Sequence, residues 1–176
     1  MSWKSKQNPL GIRGLCHFSI PVRDVTTSMS FYETILGAKL YSDEIGEYRF
    51  GFSEQDKALG RQEHIFVEIA GQRVELLGQD PGGKTPFGTH HAFDIGPNDV
   101  YVVSAHLEEH GIPFTGPVTH RGSGSANIYF TDPDGNALEF ACAGYPQHTE
   151  LPLMQKVPPA PGYTWDAEAR KGRQVA

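Results

Sequence analysis

Three short strand-like segments each carry one side chain that can bind a metal, with apolar residues around it. They are LCHFSIPV around His17, THHAFDI around His90 and NALEFA around Glu139. Successive side chains of a strand point to opposite faces, so each of these groups lies on the less apolar face of its strand. Two imidazoles and one carboxylate suit a catalytic divalent metal. The pattern therefore predicts a metalloenzyme.

His91 competes with His90 for the role of ligand in the second segment. Strand alternation puts His91 on one face with Phe93 and Ile95, which we expect to lie under a helix. His90 lies on the opposite, less apolar face with Asp94. We therefore predict His90 as the ligand and His91 as a packing residue.

Composition limits the classes of partner. The 176 residues have a formal net charge of −6, which argues against nucleic acid or an anionic membrane as a general partner. No stretch is long and apolar enough to span a bilayer, and the N-terminal residues lack the apolar run of a signal peptide. Two cysteines do not make a disulfide framework, so we expect a cytoplasmic protein.

The order of predicted elements repeats along the chain. A strand, a helix, a glycine and a β-meander occur first around His17 and again around His90. Paired repeats usually share one core, so we predict an α+β fold built from two βαβββ modules. The predicted divisions are an N-terminal extension 1–13, module one 14–78, a linker 79–88, module two 89–145 and a Pro-rich tail 146–176.

Apolar periodicity and turn residues place the elements within each module. Two helices are predicted, one near 26–36 that ends at Gly37 and one near 98–110 with Asn98 as N-cap and Gly111 as its end. A tight turn at 70–72 predicts a hairpin. The predicted extended segments are 15–22, 39–42, 47–53, 63–69 and 73–78 in module one, and 90–95, 112–118, 126–131 and 136–142 in module two.

Over residues 14–143 the chain resembles the vicinal oxygen chelate superfamily, which includes glyoxalase I, extradiol dioxygenases and fosfomycin-resistance enzymes. The resemblance rests on HFSIPVRDVTTSMSFYETILGAKL, THHAFDI and IYFTDPDGNALEF. It implies that the two modules form a shared, partly open β-barrel around one divalent metal, which could be Fe, Mn, Ni, Co or Zn. It also implies a small-molecule substrate and a homodimer.

The resemblance extends the set of site residues. The first strand of each module would provide a ligand, here His17 and His90, and the last strand of module two would provide Glu139. The last strand of module one offers Glu75 as a fourth ligand, which favours a glyoxalase-like arrangement. His64 matches a position that often holds a catalytic acid or base in related enzymes. The implied catalytic residues are therefore Glu139, Glu75 and His64.

Several functions fit this site. The leading prediction is a glyoxalase I-like lyase or isomerase that moves a proton on an oxygen-chelating substrate. An extradiol Fe(II) dioxygenase would use His17, His90 and Glu139 with His64 as base. A fosfomycin-type epoxide-opening enzyme is a third alternative, although the segment after Glu139 has no Arg. A metal-free binding module, like the bleomycin-sequestering proteins, is the non-enzymatic alternative.

Other segments have open interpretations. The loop 120–125 is a candidate lid or anion contact through His120 and Arg121, and Tyr129 either lines the pocket or packs in the core. The tail 146–176 is either disordered or packs on the body or a neighbouring subunit. In the predicted homodimer, Tyr163 and Trp165 of the tail would add to the subunit contact.

Overall fold

The computed structural model describes residues 14–41, 58, 63–82, 89–159 and 161–175. The predicted extension 1–13, the predicted strand 47–53 and part of the linker 79–88 lie outside the described residues. In chain order the elements are β1 (Phe18–Val22), α1 (Val25–Leu36), β2 (Lys39–Leu40), β3 (His64–Ile69), β4 (Gln72–Gly78), β5 (His91–Asp94), α2 (Val100–Glu109), β6 (Phe114–Val118), β7 (Ala126–Thr131), β8 (Ala137–Cys142), a 3-10 turn (His148–Glu150), β9 (Tyr163–Asp166) and β10 (Lys171–Gln174).

The two modules fold into two four-stranded sheets with the same topology. Strand order is β1-β4-β3-β2 in the first sheet and β5-β8-β7-β6 in the second. In each sheet the first strand of the module lies parallel to the last, and the remaining pairs are antiparallel. This confirms the predicted α+β fold of paired βαβββ modules. The sheets are separate in their hydrogen bonding across the described residues and do not form a closed barrel.

Strand alternation separates a core face from an open face in the first sheet. Ile20, Val67, Val74 and Leu76 are fully buried on one face. The predicted hairpin of β3 and β4 is confirmed, and its turn puts Ala70 at φ 50° and Gly71 at φ 80°. Positive φ at two successive residues matches the twist of the flanking strands, which fixes the register of the hairpin.

Both helices cover the core faces, and their ends follow ordinary capping chemistry. The Asp24 side chain accepts a hydrogen bond of 2.6 Å from the backbone N–H of Thr27, and Gly37 ends α1 in the left-handed region. The prediction of Asn98 as N-cap of α2 was wrong. The backbone N–H of Asp99 bonds to the Gly96 carbonyl in a preceding turn, so the helix starts at Val100.

A buried carboxylate joins the two modules at the turn between β7 and β8. Asp132 is 1% exposed and accepts hydrogen bonds from the Tyr32 hydroxyl at 2.9 Å and the Asn136 amide at 2.7 Å. Its other oxygen accepts from the backbone N–H groups of Asp134 and Asn136. The Asn136 amide also donates to the Pro21 carbonyl of β1. The turn therefore holds module two against β1 and α1.

Replacing Asp132 with Ala should destabilise the fold by about 3 kcal/mol, because four buried donors would lose their acceptor. Burial raises the pKa of Asp132 from its ordinary 3.8 to about 6. The folded state then binds this proton more tightly than the unfolded state, so this carboxyl favours folding most at low pH. Urea titrations should show the gap between wild type and Asp132→Ala widening from pH 7 to pH 4. A gap that narrows on acidification would contradict this assignment.

The C-terminal tail folds back on its own chain. Strands β9 and β10 pair as an antiparallel hairpin. The Tyr163 hydroxyl donates to the Thr131 carbonyl at 2.7 Å, and the Trp165 indole N–H donates to Ser30 on α1 at 3.2 Å. Both aromatic residues are buried within the chain. The expectation that they add to a subunit contact is therefore corrected. In the described part of the chain, no helix has the length and apolar character needed to cross a membrane.

Candidate active site

The second sheet brings one predicted histidine and one predicted carboxylate into direct contact. His90 Nε2 lies 2.6 Å from Glu139 Oε2. Glu139 is on β8 beside Ala92 of β5, and His90 comes just before β5. The Glu139 side chain is 8% exposed and the His90 side chain is 29% exposed. One predicted ligand is therefore held inside the protein, while the other is partly exposed to solvent.

Tyr129 and His120 extend this pair into a four-residue chain. Tyr129 lies opposite Glu139 on the neighbouring strand β7 and hydrogen-bonds to it. Burial, followed by the charge and the hydrogen bond of Glu139, raises the pKa of Tyr129. His120 Nε2 lies 2.9 Å from the Tyr129 hydroxyl. Because that hydroxyl gives its one proton to Glu139, His120 acts as the donor.

The link from His120 to Tyr129 was not predicted from the sequence. The sequence indicates Tyr129 as either a pocket residue or a core residue and His120 as part of a loop, and no pattern connects the two. The available signal was the antiparallel register of β7 and β8, which makes Tyr129 a direct cross-strand neighbour of Glu139. The position of His120 depends on the loop before β7, and sequence periodicity carries no information about that loop.

The first sheet holds the other predicted residues on its open face. Glu75 on β4 pairs in register with Ser19 on β1, and the Ser19 hydroxyl donates to Glu75 Oε2. The rings of His17 and His64 make edge contacts with Phe66, with centroids 5.2 Å and 5.9 Å away. This sheet therefore gathers His17, Glu75 and His64 on one face around an aromatic ring.

Each sheet places one predicted histidine and one predicted glutamate at equivalent positions, and we call each such pair a half-site. In each module the histidine lies two residues before the residue that pairs with the glutamate. Ser19 pairs with Glu75 in one module, and Ala92 pairs with Glu139 in the other. The Ser19 hydroxyl donates a hydrogen bond to Glu75, whereas the Ala92 side chain has no donor for Glu139. Glu139 contacts His90, while Glu75 contacts Ser19.

The neighbouring His91 lies on the opposite face of β5, as the alternation predicted. Its ring stacks on Phe18, with the centroids 4.6 Å apart. Burial, and then the charge of His90, lowers the pKa of His91. Phe93 and Ile95, on the same face, pack against the core cluster. His91 is thus a packing residue between the first strands of the two modules.

Within one chain the four predicted metal ligands are divided between the two sheets, with His17 and Glu75 in module one and His90 and Glu139 in module two. Among the described residues, only one group of three or more His, Cys, Asp or Glu has ligand atoms within 4.8 Å of one another. That group is His106, Glu109 and His110 on α2, and none of the three is a predicted ligand. A single chain therefore presents the predicted ligands as a His17 and Glu75 half-site and a His90 and Glu139 half-site.

The donor set of the second half-site fits a divalent metal. Imidazole nitrogens and carboxylate oxygens are the ligands of Fe, Mn, Co, Ni and Zn sites. Tyr129 donates to Glu139, which is the outer hydrogen bond that commonly orients a ligating carboxylate. Glu139 itself is only 6% exposed.

Comparisons with known proteins agree with this architecture. The model of the Glyoxalase/Bleomycin resistance protein/Dioxygenase superfamily matches residues 14–140. A glyoxalase/dioxygenase from Nostoc punctiforme is similar at 27% identity and a TM-score of 0.58, with 81% of this chain and 99% of that chain covered.

The fosfomycin resistance protein FosX from Listeria monocytogenes is similar in fold. At 22% identity its TM-score is 0.60, over 78% of this chain and 98% of that chain. A second FosX structure, described as a complex with Mn(II) and sulfate ion, matches at 23% identity and a TM-score of 0.57. That match covers 79% of this chain and 98% of the FosX chain. At these identities the likeness concerns the fold.

Proposed function

The chain belongs to the Glyoxalase/Bleomycin resistance protein/Dioxygenase superfamily, and on that premise we propose a divalent-metal-dependent enzyme that moves a proton on a small oxygen-chelating substrate. The observation that carries the proposal is the contact between His90 and Glu139, supported behind Glu139 by Tyr129. The reaction class is glyoxalase I-like, a lyase or isomerase. The FosX complex with Mn(II) supports the choice of a divalent metal.

His17, His90 and Glu139 would hold the metal, which supplies Lewis acidity to two neighbouring substrate oxygens. Glu75 would complete the set as a fourth ligand and take the proton from the substrate carbon. The Ser19 hydroxyl donates to one Glu75 oxygen and would orient the carboxylate for this role. His64 lies at the rim, exposed to solvent, where it would exchange the proton with water.

The test of this function is proton exchange on a simple chelating substrate. With Mn²⁺ and hydroxyacetone in D₂O, the wild-type protein should replace the hydrogens on the hydroxyl-bearing carbon with deuterium, as followed by proton NMR. Glu75→Gln should keep bound metal but slow the exchange by about 100-fold, since an amide coordinates but carries no proton. Glu68→Gln, an exposed carboxylate on β3, is the matched control and should exchange at the wild-type rate.

The same experiment separates the alternatives. Equal exchange rates for wild type and Glu75→Gln would refute Glu75 as the proton carrier. Absence of exchange together with O₂ uptake in the presence of Fe(II) and a catechol would instead support the extradiol dioxygenase, with His64 as its base. For that reaction His64→Ala, rather than Glu75→Gln, would be the damaging change.

A second candidate function is epoxide opening, as in a fosfomycin-type enzyme. The specific observation in its favour is a described FosX complex with Mn(II) and 1S,2S-dihydroxypropylphosphonic acid. In this chain His120 lies at the end of the Tyr129 and Glu139 chain, where a protonated imidazole could contact a phosphonate oxygen. Formation of a diol from fosfomycin would support this function over proton transfer.

The enzyme would act as a homodimer in the cytoplasm. Each chain offers a His17 and Glu75 half-site and a His90 and Glu139 half-site. In a two-fold dimer, the first half-site of one chain would combine with the second half-site of its partner, which gives two complete sites. Cys16 is exposed and Cys142 is buried, and both are free thiols, which suits a reducing compartment.

A further inference from the structure

The last turns of α2 carry a second group of possible metal ligands. His106, Glu109 and His110 offer ligand atoms that all lie within 4.8 Å of one another. Their spacing of three and four residues puts them on one face of the helix. The two histidine rings lie 4.4 Å apart between centroids. None of these residues belongs to the candidate active site described above.

Hydrogen bonds fix which nitrogen of each ring is available. His106 Nε2 lies 2.9 Å from the carbonyl oxygen of Thr34 in the last turn of α1. His110 Nδ1 lies 2.9 Å from the carbonyl oxygen of His106. A carbonyl only accepts, so both of these nitrogens carry the proton. The lone pairs are therefore left on His106 Nδ1 and His110 Nε2.

Metal-binding histidines use the same arrangement, with one ring N–H bonded to an acceptor and the other nitrogen carrying a lone pair. A ligating imidazole normally donates its second ring N–H to a carbonyl or carboxylate, which fixes its tautomer and orientation. Here both rings already make such a bond. Glu109 is exposed and adds a carboxylate, and the carbonyl end of the helix favours a positive charge. Two imidazoles and one carboxylate suit Zn²⁺ with water in the open position.

We propose that His106, Glu109 and His110 form a Zn²⁺ site that ties α2 to α1 and to the C-terminal hairpin. The tie to α1 runs through His106 and the Thr34 carbonyl. The tie to the hairpin runs through the His110 carbonyl, which accepts a 2.7 Å hydrogen bond from the backbone N–H of Gly172 on β10. Bound Zn²⁺ would order the residues that make both contacts, and so stabilise the folded chain.

The test is Zn²⁺ titration in a double variant, His90→Ala with Glu139→Ala, which removes two of the four proposed ligands of the catalytic metal. Calorimetry should show about one Zn²⁺ per chain and a rise in Tm with added Zn²⁺. Adding His110→Ala or Glu109→Gln should weaken binding by at least ~10-fold and reduce the rise in Tm, since each removes one of three ligands. These two variants carry the test because His106→Ala would also remove a hydrogen bond to α1.

His148→Ala is the matched control. His148 makes the same kind of bond, from Nδ1 to the Tyr145 carbonyl at 2.8 Å, but it is not part of the cluster. It should leave Zn²⁺ binding and the rise in Tm unchanged. The proposal is overturned if Zn²⁺ fails to bind the double variant, or if His110→Ala binds it as tightly. Either result would leave the proposal for the catalytic metal untouched, because all the proteins compared lack His90 and Glu139.

Discussion

The His90→Ala variant is expected to lose the catalytic metal and at least ~100-fold of activity, whereas His91→Ala keeps both. The reason is geometric. His90 Nε2 faces Glu139 at 2.6 Å, while the His91 ring lies on the other face of β5 and stacks on Phe18. The measurement is Mn²⁺ content by mass spectrometry after gel filtration, together with the exchange rate of hydroxyacetone.

The two neighbouring histidines serve as controls for each other. His91→Ala should lower the free energy of unfolding by about 1 kcal/mol, because it removes a stacked ring contact between the modules. His90→Ala should change stability less, since its side chain reaches solvent. If His91→Ala loses the metal and His90→Ala retains it, then His91 is the ligand and the assignment of His90 is wrong.

Mixing two inactive variants is expected to restore activity. His17→Ala and Glu139→Ala each remove one ligand, but from different half-sites. If the sites form between subunits, a heterodimer of the two variants has one site with both ligands intact. If subunits of the two homodimers reassort at random, about a quarter of wild-type activity should be recovered. Steady-state exchange of hydroxyacetone after mixing, mild denaturation and refolding measures it.

A second mixture shows whether recovery depends on the half-sites. His90→Ala and Glu139→Ala both damage the same half-site, so their mixture should remain inactive. If the first mixture also remains inactive while mass measurements show that heterodimers have formed, the ligands must come from a single chain. A monomeric mass at micromolar concentration would refute the dimer itself.

The fold could be predicted largely because local signals agreed. Apolar alternation placed β1, β5, β7 and β8 to within a few residues, and Gly37 and Gly111 marked the ends of both helices. The strand-helix-meander repeat then gave the paired modules. The start of α2 was missed because both Asn98 and Asp99 are good cap residues, and a backbone turn chose between them.

The candidate site was predictable in its residues but not in its contacts. Period-two alternation separated His90 from His91, whose opposite surroundings follow from the strand faces. Alternation could not show that Ser19 would donate a hydrogen bond to Glu75, because that bond depends on the register of β1 against β4. The candidate zinc site was not predicted, because the orientation of the His106 ring depends on its hydrogen bond to the Thr34 carbonyl on another helix.

The most direct test of the account is a crystal of the protein grown with Mn²⁺ and measured on both sides of the manganese absorption edge. The anomalous difference map locates the ion without any assumption about function. A peak bonded to both His90 Nε2 and a Glu139 carboxylate oxygen is the predicted result. A fully loaded crystal with no peak beside Glu139, and with His90 still hydrogen-bonded to it, would contradict the central claim.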